Sequence, residues 1–404
     1  LEQVSGTARA TRADRYAVQL IDTATLEART VGVLPRDARR IDSATWDATK
    51  QRLIIRSADS SRKELPTLVL QRNGTRWRIL PRATADGAKV ANARVQLELQ
   101  QDLNQSPVLI ARDAKSGARR TLLELNPWLG QHTLSRVEEI SWVSKDGRTW
   151  KGGLYYPLGY LPDRRYPLML QTHGFQPGKF ALSGITANFN AQALAARGIA
   201  VLQVDDDGIG VTGEGEWPAA QAIYEGAIDA LDARGLIDRQ RVGLQGWSRT
   251  GGYVGYTLTH SSYPFAAAAL TDSADFGWWY YLSVGGTHGE SAYGVKPYGA
   301  GFDVWRRMSA TFNLDRVRTP MFMWQAGSPV NLWDWYAVLK RLGKPVEYWY
   351  LPDGAHVPYK VGERVHMSEL LVDWFDFWLN DHEVATPEKA EQYARWRKWR
   401  EQEG

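Results

Sequence analysis

The chain of 404 residues contains no cysteine. Disulfide cross-links, thiolate metal centres and a cysteine nucleophile are therefore excluded together. Long apolar runs are also lacking: none approaches the ~20 residues that a membrane-spanning helix needs. The first residues, Leu1-Glu-Gln-Val-Ser-Gly6, carry neither an initiating Met nor the apolar stretch of a signal peptide. The expectation is a soluble mature protein, cytoplasmic or periplasmic, with no membrane association. Charge of one sign is scarce as well. Forty-nine Lys and Arg against 45 Asp and Glu leave a net charge of +4, too small and too dispersed to argue for a nucleic-acid partner. No residue pattern implies a metal or an organic cofactor. Hydrophobic residues at 44% and charged residues at 23% describe a globular chain, and 404 residues exceed one ordinary domain.

The most informative segment is Gly246-Trp-Ser-Arg-Thr-Gly251. It follows a short apolar strand, Arg241–Gln245, and precedes a helical stretch, Tyr253–His260. A serine at a tight strand-to-helix turn is pushed out of its sheet, with a helix N-terminus beneath it to stabilise an oxyanion. The pattern departs from G-x-S-x-G at one place, where Thr250 stands two residues after Ser248. A glycine-rich connection with an incidental serine is the competing reading.

A nucleophile needs partners. His356, in Leu351-Pro-Asp-Gly-Ala-His356, follows the strand Pro345–Tyr350. It is the expected general base, with His366 as fallback. The acid is expected after the strand Pro320–Gln325, but that loop holds no carboxylate before Asp334. Asp334 is the candidate, against the alternative of an exposed first-turn carboxylate. Asp353 is too near His356 in sequence, and a Ser-His dyad supported by Ser328 or Asn331 is a further alternative. One oxyanion donor is expected from the backbone of Arg249. The other is expected from His173-Gly174-Phe175, after the apolar strand Pro167–Thr172. Trp278 and Trp333 flank the presumed cleft and are expected substrate contacts, as is Trp247 beside the nucleophile; core filling is the competing role for tryptophans.

These residues together resemble the prolyl oligopeptidase family of serine peptidases, over about Val137 to Leu379. Glu138–Gly147 resembles the opening of that family's hydrolase domain, and Asp205–Gly210 a loop beside its oxyanion strand. Gly246-Trp247-Ser248 and Gly354-Ala355-His356 match its nucleophile and base motifs. Its Gly-x-x-Asp segment for the acid is absent. Ser248-Arg249-Thr250 is similar to the branch containing lasso-peptide isopeptidases, in which the acid is displaced from its usual loop. The resemblance implies a propeller ahead of the hydrolase domain, screening out folded proteins and admitting peptides.

The pattern of the chain fits that implication. Up to Leu134 it reads as strand–turn–strand units at 16–31, 67–80 and 107–123, spaced like propeller blades. Propellers need four to eight blades, so three predict a fragment whose earlier blades are missing; a small all-β accessory domain is the alternative. From residue 135 to 404, strands and helices alternate as in a doubly wound sheet. The fold expected is thus a C-terminal α/β-hydrolase domain, 135–404, behind partial β-propeller blades, 1–134. Gly208-Ile-Gly-Val-Thr-Gly213 matches a dinucleotide fingerprint, but it lies mid-domain and two glutamates follow. The basic tail, 388–400, is expected to dock as a helix. The activity expected is hydrolysis of peptide, or isopeptide, bonds through an acyl-enzyme. Carboxylesterase activity and a catalytically impaired peptide-binding module are the alternatives. Oligomeric state is not legible.

Overall fold

The computed structural model describes residues 17–21, 28–34, 40–47, 49–58, 64–80, 95–172, 174–184, 189–205, 209, 213–274, 276–284, 290, 292–328 and 330–403. The chain divides into two compact units. One takes the residues up to Gln96 together with Ala111–Arg119, and the other takes Leu97–Ile110 and Arg120 onward. This differs from the boundary expected at residue 134. The reason is local bonding: Asn104 pairs its side chain with both N–H and C=O of Val137, and Asn126 donates to Ser106.

The N-terminal region is all-β. β1 (Ala17–Ile21) and β2 (Ala28–Val33) form an antiparallel pair. β3 (Arg40–Asp47), β4 (Arg52–Ala58), β5 (Leu68–Asn73) and β6 (Arg76–Ile79) form a four-stranded antiparallel meander. A third sheet holds β7 (Val95–Gln100), β8 (Val108–Asp113) and β9 (Arg119–Glu124). Each predicted strand–turn–strand unit falls on one of these sheets. Val18, Leu34, Ile55, Leu68 and Leu70 form a small separate core.

The second unit is built on an eight-stranded mixed sheet. Its strands are β10 (Val137–Val143), β11 (Thr149–Tyr155), β12 (Tyr166–Gln171), β13 (Ala200–Asp205), β14 (Ile237–Ser248), β15 (Ala267–Ser273), β16 (Met321–Ala326) and β17 (Val346–Leu351). They lie in the order β10-β11-β13-β12-β14-β15-β16-β17. The first two are antiparallel, and from β13 to β17 every pairing is parallel. β12 is buried at all six positions, as a parallel strand covered on both faces must be. The period of two sorts its side chains between the faces. Leu168 and Leu170 join one core with α2 (Glu216–Ala233) and α3 (Arg249–His260). Met169 joins the other with α1 (Ala191–Ala196), α7 (Val361–Asn380) and the terminal α8 (Ala390–Glu403). α4 (Trp278–Val284), α5 (Gly301–Met308) and α6 (Val330–Arg341) complete the unit. The basic tail docks as expected: Trp396 is fully buried and donates to Glu347, which Arg395 also grips with two nitrogens. No helix among the described residues is long and apolar enough to cross a membrane.

Candidate active site

β14 delivers Ser248 to the C-terminal edge of the sheet, and α3 begins at the next residue. Ser248 has φ 56° and ψ −130°. A non-glycine residue adopts that backbone only where its surroundings hold it, and such strain gathers at active sites. The turn is tight because Gly246 and Gly251 leave room. A Cβ on Gly246 would meet the carbonyl oxygen of Thr250 at 2.7 Å, and one on Gly251 would meet Ser273 Oγ at 2.1 Å. The departure from G-x-S-x-G thus leaves the helix-to-strand approach intact, because Gly251 rather than residue 250 faces β15.

His356 reaches Ser248 from the loop after β17. Its Nε2 lies 2.9 Å from Ser248 Oγ, and its Nδ1 contacts the Oδ2 of Asp272. A carboxylate only accepts, so Nδ1 carries the proton and Nε2 is left to receive the serine hydroxyl. Asp272 is 6% exposed and stands at the C-terminal end of β15 with φ 42°. Its Oδ1 accepts from Gln325 Nε2 at 2.5 Å and from the Ala326 N–H at 2.8 Å. A buried carboxylate needs such partners, and here they come from the end of the strand after which the acid was expected.

Asp334 is therefore corrected as the partner of His356. It lies on α6, where its Oδ1 accepts from the Trp335 N–H at 2.9 Å, while both ring nitrogens of His356 are occupied elsewhere. Neither Ser328 nor Asn331 bonds to the ring among the described residues. The physical reason is sheet order: β15 adjoins β14, so its end is closer to the nucleophile than α6 is. The only local hint is Leu270-Thr-Asp272, a carboxylate where a parallel strand ends. Functional side chains in such sheets sit at those ends.

Trp247 is 8% exposed and does not present a face to solvent. Its ring stacks on His356, with centroids 4.5 Å apart and planes 22° apart, and its Nε1 donates to the His356 carbonyl at 3.2 Å. Trp333 is half-exposed beside Tyr336 and Tyr348. Trp278 packs against Tyr281 and Tyr298. Burial holds the Tyr348 phenol well above its usual range, with the Tyr350 and Asp272 charges adding to the effect.

Arg249 opens α3, and the first amides of a helix have no acceptor within it. Its N–H is therefore available beside Ser248. The side chain is clamped: Nε and Nη2 donate to the two oxygens of buried Glu216 at 2.8 and 2.6 Å, and the Tyr253 hydroxyl donates to the same carboxylate. Burial, joined by the Glu216 bond, raises the Tyr253 phenol. After β12, Gly174 N–H points to the Val204 carbonyl at 3.5 Å, and Gly174 packs on the Gln203 side chain. Phe175 lies against Gly153, where a Cβ would be 2.4 Å from its ring. His173 lies outside the described residues, as does His288. No group of His, Asp and Glu that could hold a metal occurs among the described residues.

Comparison with known proteins gives a consistent set. Residues 185–382 match the prolyl oligopeptidase family. The lasso peptide isopeptidase AtxE2 of Asticcacaulis excentricus is 29% identical over 329 residues, covering 74% of this chain and 45% of that protein. An uncharacterized peptidase of Bacillus subtilis is 26% identical over 276 residues, covering 61% of this chain and 40% of its own. The chain thus spans less than half the length of these relatives. The solved structure of the same isopeptidase matches with a TM-score of 0.65 at 24% identity, covering 93% of this chain and 60% of the other. An acylaminoacyl peptidase of Pyrococcus horikoshii matches with a TM-score of 0.60 at 18% identity, covering 89% and 59%. At these identities the structural likeness is one of fold.

Proposed function

We propose that this chain, whose residues 185–382 match the prolyl oligopeptidase family, is a serine peptidase working through an acyl-enzyme on Ser248. The observation that carries the reading is the chain of contacts from Ser248 Oγ through the His356 ring to buried Asp272. His356 Nε2 takes the hydroxyl proton as Ser248 Oγ attacks the amide carbon. The imidazolium that forms lies between the Asp272 carboxylate and the Trp247 ring, and both favour its charge. The tetrahedral oxyanion accepts from the Arg249 N–H and from the Gly174–Phe175 segment. Collapse breaks the C–N bond, the proton on His356 leaves with the amine, and a water then hydrolyses the ester by the same path reversed.

The substrate class is a peptide, with Trp278 and Trp333 as contacts. The similarity to an isopeptidase supports the narrower reading that the amide cleaved closes a macrolactam ring. The binding-module alternative rested on a missing acid, and Asp272 removes that ground. Labelling with a fluorophosphonate probe tests the reading. Wild type is expected to label, and Ser248→Ala and His356→Ala are expected not to. Labelling that survives both substitutions overturns the assignment. A panel of lasso peptides and linear peptides tests the narrower claim, which fails if only the linear ones are cut.

A further inference from the structure

Thr250 stands where the elbow motif ordinarily has glycine, and its side chain is 4% exposed. Its Oγ1 is 2.6 Å from the Oγ1 of Thr172, which is fully buried at the end of β12. Thr250 Oγ1 also donates to the Trp247 carbonyl at 2.8 Å and accepts from the Trp247 N–H at 3.2 Å. A hydroxyl has one proton and two lone pairs. The carbonyl can only accept, so the Thr250 proton goes there. Its lone pairs then take the Trp247 N–H and the Thr172 hydroxyl, which at 2.6 Å is nearer to Thr250 Oγ1 than to its other acceptor, the Gln245 carbonyl at 3.1 Å. Thr172 is fixed in turn, with its N–H donating to the Gln245 carbonyl at 3.1 Å.

This arrangement ties together the two pieces of backbone that face the oxyanion. Trp247 and Thr250 bracket Ser248 and Arg249, whose N–H is one donor. Thr172 is three residues ahead of Phe175, whose N–H is the candidate for the other donor, since the Gly174 N–H points to the Val204 carbonyl. The carbonyl under attack gains its charge only in the transition state, and donors serve it only within a few tenths of an ångström of their place. We propose that Thr250, paired with Thr172, is a positioning residue that sets the spacing between the two oxyanion donors. The inference rests on the reading of Ser248 as nucleophile.

The test is steady-state hydrolysis of p-nitrophenyl butyrate by wild type, Ser248→Ala, Thr250→Val, Thr250→Ser, Thr172→Val and the double valine variant, with thermal unfolding of each. Thr250→Val keeps the shape and removes the hydroxyl. Its kcat is expected to fall ~10- to 100-fold with KM within about twofold. Thr250→Ser is expected to recover kcat to within about threefold of wild type. Thr172→Val is expected to fall like Thr250→Val, and the double variant no further than the worse single, because the two hydroxyls act as a unit. Thr250→Val keeping kcat within twofold of wild type overturns the proposal. So does a Thr250→Ser as slow as Thr250→Val, or single effects that simply multiply. If Thr250→Val shows no cooperative unfolding, Thr250→Ser and Thr172→Val decide between the same outcomes. Activity lost in Ser248→Ala but unmoved in the threonine variants refutes the positioning role alone. Activity that survives Ser248→Ala refutes the nucleophile as well.

Discussion

Replacing Asp272 by Asn should disable the site through geometry rather than through charge alone. The Oδ1 of Asp272 receives two donors, Gln325 Nε2 and the Ala326 N–H. An asparagine must present its oxygen to those two donors, because turning its NH2 toward them would set donor against donor in a buried place. The NH2 is then forced toward His356 Nδ1. That nitrogen must become the acceptor, so the ring proton moves to Nε2, where it faces Ser248 Oγ across 2.9 Å. A protonated Nε2 cannot take the serine proton. Wrong-tautomer substitutions of this kind in serine-protease triads lower kcat by ~10⁴-fold, about 5.4 kcal/mol of barrier. The assay is kcat on a p-nitrophenyl ester together with the rate of fluorophosphonate labelling. Asp334→Asn serves as control and should leave kcat within about threefold, since its contact is with the amide of its own helix. If Asp272→Asn stays within tenfold of wild type, or if Asp334→Asn produces the large loss, the orientation argument is refuted.

Four further outcomes follow from contacts around the elbow. Trp247→Leu removes the ring stacked on His356 and should lower kcat about 3- to 10-fold by loss of a cation–π contact; an unchanged kcat would show that the stack does not serve the imidazolium. Arg249→Met leaves the 6%-exposed Glu216 side chain without its two-pronged partner. Because the guanidinium is 42% exposed, the expected loss is discounted to on the order of 2 kcal/mol of stability, measured by urea unfolding, with part recovered when Glu216→Gln is added. The raised Tyr253 phenol makes a stability contribution that is complete below the ordinary phenol pKa of about 10 and is lost as pH climbs above it. Tyr253→Phe should therefore flatten the fall of melting temperature above about pH 10, and an unaltered slope would refute the linkage. Gly251→Ala places a methyl 2.1 Å from Ser273 Oγ and 2.2 Å from its Cβ, for an expected loss of about 1–3 kcal/mol; Ser273→Gly in the same chain should restore it, and failure to do so would mean the crowding lies elsewhere.

Much of the second unit was legible because its signals are local. Strands such as Tyr166–Gln171 read as short apolar runs, and Ser248 and His356 sit at turns marked by glycine. The acid was not legible, and the cause is that its identity depends on sheet order rather than on chain order. Asp272 ends the strand next to β14, yet its sequence, Thr-Asp-Ser, carries no turn signal of its own. The role of Thr250 is not legible in the motif for the same reason. Its worth depends on Thr172, 78 residues earlier, and no spacing rule within the motif points there. The sequence places Trp247 beside the nucleophile, among the expected substrate contacts. Its actual neighbour, His356, is 109 residues away.

The displaced acid also changes what the loop after β16 has to do. With Asp272 supplied by β15, the residues ahead of that loop provide donors instead of charge: Gln325 and the Ala326 N–H, at the end of β16, hold the carboxylate from the side away from His356. Gln325 is 2% exposed, and an acidic residue in its place would set a second buried carboxylate against the first at hydrogen-bond distance. Like charges so placed cannot both ionise. Gln325→Glu should therefore not restore a conventional acid but should damage the present one, leaving a shared proton where His356 needs a full negative charge. The expected result is a loss of kcat of about 10-fold or more at neutral pH, with recovery as the pH is raised and the shared proton is lost. Gln325→Glu with unchanged kcat across that range would show that the carboxylate at 272 is not what orients the base.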